Sequence, residues 1–367
     1  MSDAQREPLV FTQLLLCVLD EGRRTATYKL AVVLALLDSC AVDSDRDGRA
    51  PTEISTRRLA RRVLELYWPQ VRSHPSATHG VLAQSSQSRA KTVDAVRDLQ
   101  TTASLRRLRT VAMVEQHLPD AYARCLDVIE LNLAQMPLGK LQRPQGFTER
   151  GNADYPRFLY DDRPFSERVT ARQLPLPIRL QPGVGDALVS LAGLLRPLVE
   201  LHWLREVARF NRLSLAEESL RDFLFGSQRI SLEPVRVGLA DLQDGRCFYC
   251  QRPLKPRNVH VDHFVPWSRI PNDGLANLVA ADGACNNSKS DNYADLDLLE
   301  RWAARDRSGL DGLADSARWP LQDAESFGTA RSIYGHLPAG SRLWTRPDEF
   351  TLLDPARLER LLPTLAP

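Results

Sequence analysis

The chain has 367 residues, of which 43% are hydrophobic and 26% are charged, and its formal net charge is +2. This is the composition of an ordinary folded protein, and it excludes a general electrostatic attraction for nucleic acids, so any nucleic-acid-binding surface must be local. The longest apolar run, residues 30–37, is too short to cross a bilayer, and no signal-peptide pattern is present, so we expect a cytoplasmic protein without a membrane partner.

Residues 1–145 are predicted to form a helical domain with a DNA-binding or regulatory role. Apolar residues recur at helical spacing in the first half of this region, and two further helices are expected over residues 104–117 and 119–135. The helix that begins near Ser55 carries four arginines, Arg57, Arg58, Arg61 and Arg62. These arginines could contact DNA, as in a helix-turn-helix, or could form a basic face that is merely solvated.

Residues 146–235 are expected to combine a linker with an apolar helical stretch. Residues 139–183 are rich in proline and arginine and contain one strand-like piece, residues 157–160. Leucines at helical spacing then predict a helix over residues 184–211, in which Pro197 should introduce a kink or a restart.

Residues 236–300 contain three short sequences that carry chemistry. They are Cys247-Phe248-Tyr249-Cys250, then Asp262-His263 followed by Pro266 and Ser268, and finally Asn277-Leu278 followed by Cys285-Asn286-Asn287-Ser288-Lys289. Two cysteines separated by two residues can hold zinc, whereas carboxylate and amide oxygens suit Mg²⁺. A histidine can accept a proton from water near neutral pH. This combination suits metal-dependent hydrolysis of phosphodiester bonds.

Over residues 245–292 these sequences resemble, in their order and spacing, the HNH endonuclease family. The resemblance implies a core of two strands and one helix around a single metal ion. It implies that His263 is the general base and that Asp262 and Asn286 are ligands of a catalytic Mg²⁺ or Mn²⁺ ion.

The same resemblance implies roles for two more residues. Asn277 corresponds to the middle asparagine, which in the family holds the loop that orients the base, and we expect it to serve the catalytic site in this way. Lys289 stands where the family usually has a basic residue near the phosphate, and we expect it in the catalytic set.

A structural zinc site is expected at Cys247, Cys250 and Cys285. Zinc-binding members of the family usually end with a second Cys-x-x-Cys pair, but here Asp282 takes the place of its first cysteine. Aspartate can bind zinc through oxygen. The alternatives are three thiolates with Asp282, three thiolates with water, or a metal-free cluster of buried thiols, and we favour a bound zinc ion.

The sequence between Arg246 and Ile270 contains five basic residues and one acidic residue. We expect Arg252, Lys255 and Arg257 to contact DNA phosphates, although a solvated basic loop would have the same composition. The predicted fold is mainly α with a small α+β module near the C-terminus, in which a ββα-metal core carries a zinc knuckle. Residues 301–367 are predicted to add a helical C-terminal extension.

The expected function is that of a metal-dependent DNA endonuclease. A role in restriction or anti-phage defence, with partner proteins of such a system, is suggested by analogy with nucleases that carry long helical regions before an HNH module. Two alternatives are a non-catalytic nucleic-acid-binding protein built on an HNH scaffold and a nuclease that acts on structured RNA.

Overall fold

The computed structural model of the chain describes residues 8–20, 24–77, 80–86, 90–143, 155, 157–213, 218–225 and 230–366. It divides into two compact units. Unit 1 consists of Met1–Cys40 and Pro51–Gln228, and unit 2 consists of Ala41–Ala50 and Arg229–Pro367. Among the described helices, none has both the length and the apolar character that a membrane crossing needs.

Unit 1 is mainly helical. Its helices are α1 (Pro8–Asp20), α2 (Tyr28–Val42), α3 (Thr56–Tyr67), α4 (Lys91–Leu105), α5 (Val111–His117), α6 (Pro119–Gln135), α7 (Val184–Ser190), α8 (Ala192–Asn211) and α9 (Glu218–Leu224). Two short antiparallel strands, β1 (Glu53–Ser55) and β2 (Pro177–Arg179), pair with Ile54 opposite Ile178.

Several helix boundaries follow from local chemistry. The α3 helix begins after Ser55, whose hydroxyl accepts a hydrogen bond from the backbone N–H of Arg58 at 3.1 Å, as an N-cap should. The helix expected over residues 104–117 was wrong in extent, because α4 ends at Leu105 and Thr110 caps a separate helix, α5. The restart expected at Pro197 lies instead at Leu191, and α8 continues through the proline, where a kink stays a prediction.

The segment expected to be a linker contributes to unit 1 instead. The β2 strand lies within it and pairs with β1, and Tyr160 of the expected strand forms only an isolated bridge, with Leu180. Further along, Trp203 of α8 is fully buried and its ring lies edge-on to that of Tyr67 in α3, with centroids 5.1 Å apart. These contacts join residues 157–213 to the same core as the N-terminal helices. Residues 144–154 and 156 lie outside the described part of the chain.

The arginines of α3 do not form a free basic face. Arg57 pairs with Asp127 at 2.6 Å, and Arg62 is buried and pairs with Glu65 at 2.6 Å. Arg61 binds the same Glu65 at 3.2 Å. Three of the four arginines are therefore used in ion pairs within unit 1, and a contact of this helix with DNA stays a prediction.

Unit 2 combines helices with two small sheets. Its elements are α10 (Glu233–Asp241), β3 (Val259–His263), β4 (Leu278–Asp282), α11 (Gly283–Lys289), α12 (Leu296–Ala303), α13 (Arg307–Ala317), α14 (Asp323–Gly335), β5 (Arg342–Arg346), β6 (Glu349–Leu352) and α15 (Pro355–Leu361). The β3 and β4 strands pair antiparallel, with Asp262 opposite Val279 and His263 opposite Leu278, and α11 follows β4 directly. The two strands and α11 form the predicted ββα core.

Aromatic packing joins this ββα core to the rest of unit 2. Phe264, which follows β3, stacks on Trp302 of α12 with centroids 4.9 Å apart and an interplanar angle of 6°. Trp302 in turn lies 4.7 Å from Phe327 of α14, and Tyr249 lies 5.2 Å from Trp344. Side chains of α12, α14, β5 and α15 are thus part of one core with the cysteine motif. The expected helical extension over residues 301–367 also contains the β5–β6 hairpin, which was not predicted.

Candidate metal and catalytic site

Asp262 and His263 end β3, where the chain turns into the loop that leads to β4. The Asp262 Oδ2 atom accepts a hydrogen bond from the hydroxyl of Tyr249 at 2.5 Å and lies 3.1 Å from the Lys289 ammonium group. Burial raises the pKa of Tyr249 well above its usual value, and the charge of Asp262 adds to this effect, so the hydroxyl stays a donor. No described side chain binds Oδ1, which leaves one carboxylate oxygen to bind a cation.

Lys289 lies at the end of α11 and is fully buried. Besides its contact with Asp262, its ammonium group donates a hydrogen bond to the backbone oxygen of His263 at 2.9 Å. The resemblance implied a basic residue near the phosphate, but a side chain without solvent exposure cannot make that contact. In the structure Lys289 instead ties the end of β3 to α11.

Asn286 is half-buried and lies three residues before Lys289 on α11. Residues three apart in a helix share one face. Asn286 therefore lies on roughly the same side of α11 as Lys289, and its role as a metal ligand beside Asp262 stays a prediction.

Asn277 precedes β4 and is almost completely buried. Its side-chain oxygen accepts a hydrogen bond from the backbone N–H of Val265 at 2.9 Å, and its amide nitrogen donates to the Val265 oxygen at 3.1 Å. The same nitrogen donates to the backbone oxygen of Asn272 at 3.2 Å. Asn277 thus fastens the loop that begins beside His263 at Val265 and at Asn272, and the role implied for it in orienting the base stays a prediction.

The partner of the His263 ring was not predicted from the sequence. His263 is buried, and its Nε2 atom lies 2.8 Å from Oδ1 of Asp273 in the same loop. The only local signal was the sequence Pro271-Asn272-Asp273-Gly274, which is typical of a turn. A turn signal does not indicate which side chain the turn will face.

The zinc candidates come together in space. The ligand atoms of Cys247, Cys250, Asp282 and Cys285 all lie within 4.8 Å of one another. In a tetrahedral zinc site with Zn–S distances of about 2.3 Å, neighbouring sulfur atoms are about 3.8 Å apart, so this set fits zinc after small adjustments. Burial raises the pKa of the Cys247 and Cys285 thiols. A cation that releases their protons would offset this cost.

Asp282 uses its two carboxylate oxygens for different purposes. Oδ1 accepts hydrogen bonds from the backbone N–H groups of Ala284 and Cys285, both at 2.9 Å, and so caps α11. Oδ2 lies 3.1 Å from the Cys250 sulfur. Burial by itself would raise the pKa of Asp282, but hydrogen bonds from the Cys285 backbone and from the neighbouring thiols lower it well below its usual value. The ionised Oδ2 is therefore the fourth candidate ligand.

Arg252, Lys255 and Arg257 lie in the segment between the Cys247–Cys250 turn and β3. All three are exposed, and none forms an ion pair with a described side chain. Unlike the arginines of α3, they are available to bind an anion in solution.

Two protein families match different parts of the chain. The HNH endonuclease family matches residues 247–294, which include both strands of the ββα core, α11 and the three cysteines. A domain of unknown function (DUF8808) matches residues 11–224, more than half of the chain. No curated protein and no solved structure was found to match. The resemblance seen in the sequence is confirmed for this segment, and HNH nucleases act on nucleic acids with divalent metals.

Proposed function

Because the chain belongs to the family defined by that domain of unknown function and carries an HNH endonuclease segment at residues 247–294, we propose that it is a metal-dependent endonuclease that hydrolyses phosphodiester bonds in DNA. One observation carries the proposal. Asp262 and His263 end β3 side by side, and α11 is fastened to that strand end through Lys289.

Asp262 and Asn286 are the proposed ligands of the catalytic metal. Their oxygen atoms are hard ligands, which favour Mg²⁺ or Mn²⁺ over zinc. When bound, such an ion would stabilise the negative charge that develops on the phosphate and on the leaving oxygen. Lys289 and Tyr249 hold Oδ2 of Asp262, so the proposed ligand atom is Oδ1.

His263 is the proposed general base. Its ring would take a proton from the attacking water, and the surrounding loop keeps it in place, since Asn277 fastens that loop at Val265 and Asn272. Because the imidazole acts on water rather than on the DNA in its ground state, the proposed role contributes to the rate and little to DNA affinity.

Arg252, Lys255 and Arg257 are the proposed phosphate contacts. Their exposure and lack of described ion pairs support this role, because each contact would release counterions from the DNA. Zinc bound by Cys247, Cys250, Asp282 and Cys285 would hold the Cys247–Cys250 turn against α11 and stabilise the module.

A role in restriction or anti-phage defence belongs to the same proposal by analogy of architecture, and a plaque assay on cells with and without the gene tests it.

Nicking of supercoiled plasmid by the purified full-length protein tests the proposed function. Cleavage is expected with Mg²⁺ or Mn²⁺ and should disappear in EDTA. His263→Ala should lose cleavage, whereas His260→Ala, an exposed histidine on the same strand, is a matched control that should keep it.

Undiminished cleavage in EDTA would contradict the metal assignment. DNA binding without cleavage under any metal would favour the scaffold alternative. A structured RNA of similar length, assayed in parallel, decides the substrate, since cleavage of RNA alone would replace DNA in the proposal.

A further inference from the structure

The loop between β3 and β4 brings one carboxylate to the ring of the proposed base. We propose that Asp273 is a positioning residue that holds His263 in the tautomer protonated at Nε2, which leaves Nδ1 as the atom that accepts the proton from water. This inference rests on the proposed function for the role of His263. The hydrogen bond itself can be tested without any nuclease activity.

The donors and acceptors of the pair decide which ring nitrogen carries the hydrogen. The Asp273 Oδ1 atom lies 2.8 Å from Nε2, within ordinary hydrogen-bond distance. An ionised carboxylate can only accept hydrogen bonds, so the ring nitrogen that faces it must carry the hydrogen. In a neutral imidazole the other nitrogen then has the free lone pair. The bond therefore selects which ring atom can act as a base.

Burial makes this selection effective. The side chains of His263 and Asp273 are 5% and 18% exposed, so bulk water competes little for the hydrogen bond between Nε2 and Oδ1. A hydrogen bond to a charged group contributes more than one between neutral groups. The bond to Asp273 therefore favours one tautomer and one orientation of the ring.

The backbone on both sides of Asp273 is fixed by contacts that do not involve His263. The indole N–H of Trp319 donates to the Asp273 backbone oxygen at 2.7 Å, and the buried Asn272 side chain accepts from the Gly274 N–H at 2.8 Å. A Cβ atom at Gly274 would lie 2.5 Å from Cβ of Gln322, so this backbone is packed too closely for any other residue. The carboxylate is thus aimed by the fold.

Asn277 and Asp273 have complementary roles in this arrangement. Asn277 fastens the backbone of the loop through Val265 and Asn272, and Asp273 contacts the ring itself. Similar carboxylate partners orient the histidine of catalytic triads, where loss of the correct tautomer costs up to about 10⁴ in rate. Here the same principle predicts a loss in kcat without a loss in DNA affinity.

Nitrogen-15 NMR of histidine-labelled full-length protein tests the inference at alkaline pH, where imidazoles are neutral. We expect His263 as a single Nε2–H tautomer with an exchange-protected Nε2–H proton. In Asp273→Ala that proton resonance should disappear and the tautomers should mix, whereas Asp311→Asn, an exposed carboxylate on α13, should leave the spectrum unchanged. The remaining histidine resonances report whether each variant is folded. An Nδ1–H tautomer in the unmodified protein, or an unchanged His263 signal in Asp273→Ala, would overturn the inference.

Kinetics then separate positioning from a general structural role. Asp273→Ala should lower kcat for plasmid nicking about 10²-fold, within the range for impaired base catalysis, with an unchanged KM. Asp273→Glu, which restores an acceptor, should recover part of this loss. A rise in KM with kcat unchanged would overturn the positioning role. Failure of the unmodified protein to cleave nucleic acid would refute the proposed function, and the NMR result would still decide whether Asp273 sets the tautomer.

Discussion

Replacing Lys289 with methionine removes a buried ammonium group and keeps most of the side-chain volume. The ammonium group has no solvent exposure, lies 3.1 Å from Asp262 Oδ2 and donates to the His263 backbone oxygen at 2.9 Å. Without it, the carboxylate of Asp262, only 12% exposed, would keep its charge with Tyr249 as its remaining described partner.

Removal of one partner from a buried ion pair costs about 3–5 kcal/mol, because the other charge stays buried without compensation. We therefore expect Lys289→Met to lower the free energy of unfolding of unit 2 by about 3 kcal/mol, which is more than a hundredfold in the unfolding equilibrium at about 1.4 kcal/mol per factor of ten. The double variant with Asp262→Asn should recover part of this loss, because it removes the uncompensated charge. Urea denaturation followed by tryptophan fluorescence measures both effects.

Lys255→Gln is the matched control, since Lys255 is an exposed lysine of the same unit. It should leave the unfolding free energy within about 0.5 kcal/mol and reduce the salt dependence of DNA binding by about one phosphate contact. Lys289→Met should show the opposite pattern, with an unchanged salt slope. A stability loss below about 1 kcal/mol for Lys289→Met would refute the buried-pair reasoning. A reduced salt slope would also refute it and would restore Lys289 as a phosphate contact.

Three further predictions concern other parts of the chain. His263→Ala should lower the cleavage rate by about 10²–10⁴-fold while DNA affinity, measured by fluorescence anisotropy, stays the same; a near-normal rate would remove His263 as the base. Asp282→Asn should keep the cap of α11 but reduce zinc retention against a chelator, whereas Asp282→Ala should also lose about 1 kcal/mol of stability. Equal zinc retention in the unmodified protein and both variants would exclude Asp282 as a ligand. Replacement of Arg57 and Arg61 by glutamine should destabilise unit 1 in thermal unfolding and leave the salt slope of DNA binding unchanged, and a weaker slope would return α3 to the DNA interface.

The sequence revealed those parts of the site that depend on short spacings. Cys247 and Cys250 are two residues apart, and Asp262 and His263 are adjacent, so their proximity needs no knowledge of the fold. Cys285 and Asp282 could be added only through the resemblance, because their contact with the first pair depends on the β3–β4 pairing.

Contacts made by folding escaped the sequence analysis. Lys289 lies near the end of a short polar helix, where a lysine side chain is normally exposed. It is buried because α11 packs against β3 and brings the ammonium group to Asp262. Asp273 lies in a local sequence that is typical of a turn. Its partner, His263, lies ten positions earlier on a strand, so no short spacing indicated their contact. The β5–β6 hairpin was missed for a different reason: all four residues of β6 are exposed, so no alternation of apolar and polar residues marks the strand.

The aromatic packing around Trp302 limits how the nuclease segment could be moved between proteins. The family match ends at residue 294, yet Phe264 within it stacks on Trp302, which also contacts Phe327. An excised piece with the matched boundaries would leave one face of that phenylalanine open to water and would remove the Trp344 neighbour of Tyr249. For gene fusion or domain swapping, a transferable segment must therefore extend past residue 294 to include Trp302, Phe327 and Trp344. A shorter graft would carry every proposed catalytic side chain without the aromatic residues that pack around them.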